Sequence, residues 1–165
     1  MLAGAPWILL SAKGHLSTVG RCLTFDQSAD GYAKSEGVAN LVLSLLEESE
    51  EAPKGLIAAA HANHTGRGAS LTAPCGPQQG ELLQQTLRQA KISASTLEAV
   101  DCFSHGVFMQ DAVEAEVCRR SLRGYEELEV PLVLSNGFSQ SGMALEAAGM
   151  AQILKAGVCI GKGMG

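Results

Sequence analysis

Apolar positions in this chain fall into two kinds of run. From Val38 to Leu46 they are nearly unbroken, so an extended segment would be apolar on both faces, the pattern of a strand buried on both sides. Gly55 to Ala62 is a second strand-like run, built from small residues, and the acidic stretch Glu47 to Gly55 between the two reads as a solvated turn. Asn63 to Pro77, NHTGRGASLTAPCGP, then breaks the pattern with Gly, Thr, Ser and Asn. Such a loop can bring backbone N–H groups close to a ligand. Beyond it the period changes. Leu83, Leu87 and Ala90 recur at helical spacing and predict a helix over about Gln78 to Ala90.

The second half alternates in the same way. Ser95 and Glu98 have the spacing of a capping box on a single turn. Ala99 to Ser104 reads as a strand. Asp111 begins a helix with Glu114 in capping-box position and with Val113 and Val117 facing inward. Pro131 to Ser135 reads as another strand, followed by a Gly/Ser turn. A helix from about Gly142 to Lys155 then buries Met143, Ala147, Met150 and Leu154. Strands alternating with helices predict an α/β layered fold. The tail AGVCIGKGMG reads as a breaking-off point, and its glycine spacing is not that of a phosphate loop.

Composition narrows the partners. The chain has 165 residues, enough for one domain or a piece of a larger one. With 46% hydrophobic but only 4% aromatic residues, its core must be aliphatic. A net charge of −5 without a basic stripe argues against nucleic acid and anionic membrane surfaces as partners. Five cysteines without a CxxC motif suggest reduced thiols and a cytoplasmic protein. Cys102 and His105 form a C-x-x-H pair with no second pair to complete a zinc site, so no metal is expected. MLAGAPWILL lacks a basic flank and is interrupted by Pro6, so it reads as neither a signal peptide nor a membrane span.

In open α/β sheets, ligands gather at the carboxyl ends of strands. Two polar clusters lie at such ends: Ser104-His105-Gly106, and Ser135 to Ser141. His105 is the foremost candidate, since a neutral imidazole there could donate a hydrogen bond to a developing enolate or thioester oxygen. The competing reading is a core histidine bonded to nearby backbone. Ser139 sits between strand and helix, as in a nucleophile elbow, but in G-F-S-Q-S-G rather than G-x-S-x-G, and helix capping explains it more simply. His61 and His64 read as loop residues, and His15 carries no pattern.

Four segments, taken in order, resemble the ketosynthase (beta-ketoacyl synthase) domain of modular polyketide synthases, in the thiolase-like superfamily. GRCLTFDQSADGYAKSEG, Gly20 to Gly37, is similar to the family's GRCRTFDASADGYVRGEG. The Asn63 to Pro77 loop keeps the family's LTAP at Leu71 to Pro74. VDCFSHGVFMQDAVEAE, Val100 to Glu116, resembles VEAHGTGTPLGDPIEAE, and Ser135 to Lys155 resembles SNIGH and the helix ending in LIK. The resemblance implies a thiolase-like layered αβαβα fold, incomplete here, with the end of the N-terminal half at 1–54 and most of the C-terminal half at 55–165. It implies an acyltransferase that carries out decarboxylative Claisen condensation of an acyl thioester with a malonyl-carrier-protein thioester. No cofactor is bound, substrates ride on the phosphopantetheine of an acyl carrier protein, and the enzyme is a homodimer or part of a larger synthase, in polyketide or fatty-acid biosynthesis.

By the same resemblance His105 matches the first catalytic histidine and Asn136 the asparagine of the SN motif, while Asn63, Thr72 and Gly106 fall at substrate-binding positions. Asp111, Glu114 and Glu116 also match. Other positions depart from the family. Ser139 stands in place of the second histidine, and no histidine follows His105. The threonines of HGTGT are Val107 and Met109, and the lysine before SN is Leu134. No cysteine lies in a TACSS-like nucleophile motif. The isolated chain is therefore expected to be inactive. The alternatives are a non-catalytic ketosynthase-like scaffold or partner subunit, and a hydrolase pair of Ser139 with His105.

Overall fold

In the computed structural model, residues 4–46, 52–70, 72–124 and 131–163 are described. Helix α1, Gly4–Ala12, is apolar around its whole circumference, so no amphipathic period announces it in the sequence. Pro6 lies in its first turn, where a missing N–H costs no intrahelical bond. Gly14, at φ 67, ends it: Gly14 N donates to Ser11 O and His15 N to Leu10 O, at 2.9 and 3.0 Å. No helix among the described residues is long and apolar enough to cross a membrane.

Helix α2, Gly76–Ala90, confirms the periodicity. Leu83 and Leu87 pack onto a buried cluster of Cys102, Cys118 and Leu122. Strand β1, Ala99–Asp101, helix α3, Phe108–Arg123, and strand β2, Val133–Ser135, form a β-α-β unit. Its strands pair in parallel with Ala99 opposite Val133 and Asp101 opposite Ser135. Val113 and Val117 face α2, where a Cβ on Gly76 would come within 3.2 Å of Val117, so a small residue sets the helix spacing there. Arg123, at the end of α3, donates to the carbonyls of Ala94, Leu97 and Pro131 and closes that end of the unit.

The other cluster, Cys22, Tyr32, Phe138, Met143 and Ala148, lies where 31–35 crosses the chain. Tyr32 N donates to His15 O, Gly31 N to Gly106 O and Met143 N to Ala33 O, so this one extended stretch joins three distant segments. Helix α4, Phe138–Ser141, and helix α5, Ala148–Gly161, complete the described elements.

Several expectations are corrected. Residues 38–46 and 55–62 form no strand, and Val42 is 99% exposed. A strand exists only beside a neighbour, and no described segment pairs with either. The turn expected over 47–55 lies partly outside the described residues; 52–55 is exposed and irregular. The turn near Ser95 is a 3-10 turn over Ala94–Thr96 that starts at Ser93 without a side-chain cap. Helix α3 begins three residues before Asp111, with Val107 at its N-cap. Helix α5 begins at Ala148 rather than Gly142, because Gly142 at φ 72 and Leu145 at φ 48 are both outside helical geometry. Met143 is buried through its bridge to Lys34 instead, Leu154 is 39% exposed, and the tail is helical to Gly161.

Gly157 lies inside α5 with nothing within 4 Å of a built Cβ. Gly157→Ala is expected to stabilise the chain by roughly 0.5–1 kcal/mol, since alanine loses less backbone entropy in a helix. Urea titration followed by circular dichroism checks this, and a loss of stability would contradict the exposed setting of that face.

Candidate functional site

The site is a turn at the end of β1. Ser104 and His105 are 2% and 6% exposed, and neither can be held by solvent. Helix α3 holds them. The Asp111 carboxylate accepts from His105 N and Gly106 N, both at 3.0 Å, and from Phe25 N at 3.4 Å. One turn on, Glu114 accepts from Phe103 N at 2.8 Å and Ser104 Oγ at 2.7 Å. Spacing alone makes these two residues a helix start and its cap. Their carboxylates instead reach back onto the turn before the helix. An Asp and a Glu three apart, just after a His-Gly turn, are the sequence signal for this.

Gly106 is required in this turn. Its φ is 92, and a Cβ there would lie 2.5 Å from Gly31 O. The His105 ring is walled by Tyr32 and Phe103, each with ring centroids at 5.2 Å, and Phe103 packs edge-on against Phe138. Neither aromatic is singled out by the sequence. Burial pushes the His105 imidazole below its ordinary value, with His15 adding to the depression. Asp111, the Phe103 backbone and Glu114 oppose it. Its Nδ1 is buried and has no hydrogen-bond partner among the described residues. A neutral ring with a free nitrogen can make one hydrogen bond to a substrate atom.

Asn136, at the end of β2, joins the two strand ends. Its Nδ2 donates to Cys102 O at 2.9 Å and to Ser104 O, and its Oδ1 accepts from Phe138 N and Ser139 N at 2.6 and 3.3 Å. Both ends of the carboxamide are engaged within the protein, so Asn136 orients the turn that carries His105. Gln152 from α5 adds a second donor to Cys102 O at 2.8 Å. Ser139 is exposed, with its hydroxyl 3.5 Å from Asn136 O, and no hydrogen bond joins it to His105 among the described residues. Beside the strand ends, Lys155 Nζ lies 2.5 Å from Asp101 and 3.2 Å from Ser135 Oγ.

His105, Gly106 and Asn136 are thus brought into one cluster. Asn63 is instead tied to the start of α2 through Gln78 O at 2.8 Å. Thr72 is exposed and reaches α3 only through its carbonyl, which accepts from Gln110 at 3.4 Å.

The profile of the beta-ketoacyl synthase C-terminal domain matches residues 54–164, and that of the N-terminal domain matches residues 1–49. The chain belongs to the beta-ketoacyl synthase family. It is 31% identical over 169 residues to a phenolphthiocerol/phthiocerol polyketide synthase protein of Mycobacterium tuberculosis, a match covering 99% of this chain and 8% of that protein. It is 35% identical over 153 residues to desertorin synthase of Aspergillus desertorum, covering 89% of this chain and 9% of that one. Its structure superposes on the ketosynthase from module 6 of the bacillaene synthase from Bacillus subtilis 168 with a TM-score of 0.91 at 25% identity. That superposition takes in 96% of this chain and 29% of the other. The chain therefore spans under a tenth of those two polyketide synthases and less than a third of the solved ketosynthase. The expected thiolase-like ketosynthase fold is borne out.

Asp111→Asn replaces one acceptor with a donor facing backbone N–H groups, and leaving such groups unpaired costs about 1–3 kcal/mol each. The substitution is expected to lower unfolding stability by roughly 2–4 kcal/mol, measured by urea denaturation. A change within about 0.5 kcal/mol would show that the clamp is not needed.

A pH dependence also follows. The folded imidazole lies below its ordinary 6.5, so the unfolded chain binds more protons between the two values. The stability His105 contributes is complete above pH 6.5 and is lost as pH falls below it toward the folded value. Asp26 and Asp30, lowered from 3.8 by bonds from Ser28 and Thr18, and Glu116, lowered from 4.5 by Arg119, act only at more acidic pH. Thermal melts should decline as pH falls below 6.5, and His105→Gln should flatten that decline. An equal slope in the variant would assign the titration elsewhere.

Proposed function

We propose that this chain forms the His105 side of a polyketide-type beta-ketoacyl synthase site, and that the acyl-carrying cysteine of that site comes from outside it. The observation that carries this is the buried His105 ring with its unpartnered Nδ1, at the carboxyl end of β1. In the reaction the family implies, the bond from the malonyl thioester to its carboxylate breaks and carbon dioxide leaves. The resulting enolate attacks the acyl carbon, and the tetrahedral intermediate expels the cysteine thiolate. His105 donates a hydrogen bond to the enolate oxygen, which is worth most where water is excluded. Gly106, Asn63 and Thr72 flank the approach of a phosphopantetheine arm on an acyl carrier protein, and Asn136 positions the histidine turn. The reading divides the chain into 1–54, the end of the N-terminal half, and 55–165, most of the C-terminal half, of one ketosynthase, which acts as a cytoplasmic dimer.

Burial of three of the five cysteines supports a nucleophile from outside. Cys22 is buried, and burial pushes its thiol up. Cys102 and Cys118 are free thiols buried in one cluster, and the hydrogen bond between them raises Cys102 and lowers Cys118. Cys75 and Cys159 sit at the N-cap of α2 and in α5. A second reading, a non-catalytic ketosynthase-like partner subunit, is favoured by the exposure of Ser139 at the second histidine's position.

Incubated with an acyl-pantetheine thioester, the isolated chain should show no acyl adduct by intact-mass spectrometry, and it should release no carbon dioxide from malonyl carrier protein. An adduct on any of its cysteines would overturn the proposal of an external nucleophile. Within a complete ketosynthase that includes this chain, His105→Ala should slow condensation by roughly 10²–10³-fold, the usual loss for an oxyanion donor. An unchanged rate there would leave only the partner-subunit reading.

A further inference from the structure

Helix α3 runs back along β1 and the turn that follows it, and its contacts keep a register. Asp111 holds His105 and Gly106, and Glu114, three positions on, holds Phe103 and Ser104. One turn beyond Glu114 the helix has risen about 6 Å, the span of roughly two strand residues. It therefore lies beside Asp101 and Cys102. Strand side chains alternate, and Asp101 is turned to Lys155 of α5, so Cys102 is the one turned to the helix. The α3 residue that meets it is Cys118. Both are free thiols, 1% and 3% exposed, in one cluster with Leu122. A hydrogen bond joins them and holds the Cys118 thiol below its ordinary range. Cys22 lies in the other cluster, with its sulfur against the backbone of Ala33.

We propose that Cys102 and Cys118 are a redox-sensitive pair that hydrogen peroxide converts to a disulfide, tying β1 to α3 at the base of the His105 turn. The Cys118 thiolate attacks one peroxide oxygen, the O–O bond breaks, and a sulfenic acid forms as hydroxide leaves. Cys102 then attacks that sulfur and its S–O bond breaks. Two thiols and one peroxide give a disulfide and two waters: the sulfurs lose two electrons, the peroxide gains them, and the thiol protons end on water. Peroxide is small and uncharged, and it reaches a buried pair through local opening. In a reducing compartment such a bond is transient and serves sensing. The loop it closes contains the whole 103–106 turn together with Asp111 and Glu114. Cys102 also carries the carbonyl that Asn136 and Gln152 hold. Oxidation therefore fixes the base of the turn from which the His105 ring projects.

The test treats the full chain with hydrogen peroxide, after Cys75→Ser and Cys159→Ser have removed the two thiols that are not buried. A glutamate-specific protease cuts at Glu98, Glu114 and Glu116 and so separates the two cysteines. Their peptides should stay joined until dithiothreitol is added. In urea titrations the unfolding equilibrium constant should fall roughly 100-fold on oxidation, the effect of closing a loop of this length. The amides of His105 and Gly106 should exchange at least about tenfold more slowly. Cys118→Ala should abolish all three effects. Peptides that remain separate, with either sulfur left as thiol or carried on to sulfinic acid, would overturn the proposal. So would a bond from Cys22 to either cysteine, or a joined pair with unchanged unfolding and exchange. None of these readouts needs condensation, so they stand or fall apart from the function proposed above.

Discussion

Asp111 gathers backbone donors that the chain otherwise keeps far apart. His105 N and Gly106 N lie just before its helix, and Phe25 N lies 86 residues away. The carboxylate is 2% exposed, so its charge is tolerable only because three N–H groups converge on it. The bond to Phe25 fixes the loop that leads into Tyr32, one wall of the His105 ring. The bonds to His105 and Gly106 fix the turn from which that ring projects. Glu114 repeats the device one helical turn on, so α3 grips four consecutive residues, 103–106, before it serves as a packing face for α2.

Around this clamp the remaining polar groups divide into those that position and those left available. Both ends of the Asn136 carboxamide are engaged, Nδ2 donating and Oδ1 accepting, and Gln152 completes the Cys102 carbonyl. Lys155, Asp101 and Ser135 close on one another beside the β1–β2 register. Such networks rigidify a site only when every member is paired. The His105 Nδ1 and the Asp101 Oδ2 are both buried without a hydrogen-bond partner among the described residues, and of the two the histidine nitrogen is what a substrate contact would fill.

Legibility in the sequence followed the physical range of each signal. Helix α2 and the body of α3 were readable because their apolar period is a property of one helix face. The cores of β1 and β2 were readable from short apolar runs. Residues 38–46 and 55–62 carry an equally clear pattern and form no strand, because a strand is a property of two segments and the pattern describes only one. Helix α1 gave no period because it is apolar all round, and the start of α5 was hidden by backbone angles at Gly142 and Leu145 that no hydropathy pattern encodes. His105 could be found from its place after a strand. Its walls could not, since Tyr32 arrives from a segment 73 positions earlier in the numbering.

The same carboxylate that fixes the histidine turn ought to favour a charged imidazole, yet the balance goes the other way. Burial is the largest influence on His105 and acts against the charged form, while Asp111 and Glu114 pull toward it. Both carboxylates are already occupied by backbone and hydroxyl donors, which hold their oxygens on the turn and away from any bond to the ring. The aromatic walls exclude the water that would solvate an imidazolium. An acidic clamp can therefore position a neutral histidine, provided its charge is spent on the backbone. An oxyanion donor in a ketosynthase site needs that combination: a ring held rigidly, with a nitrogen free to meet negative charge as it develops.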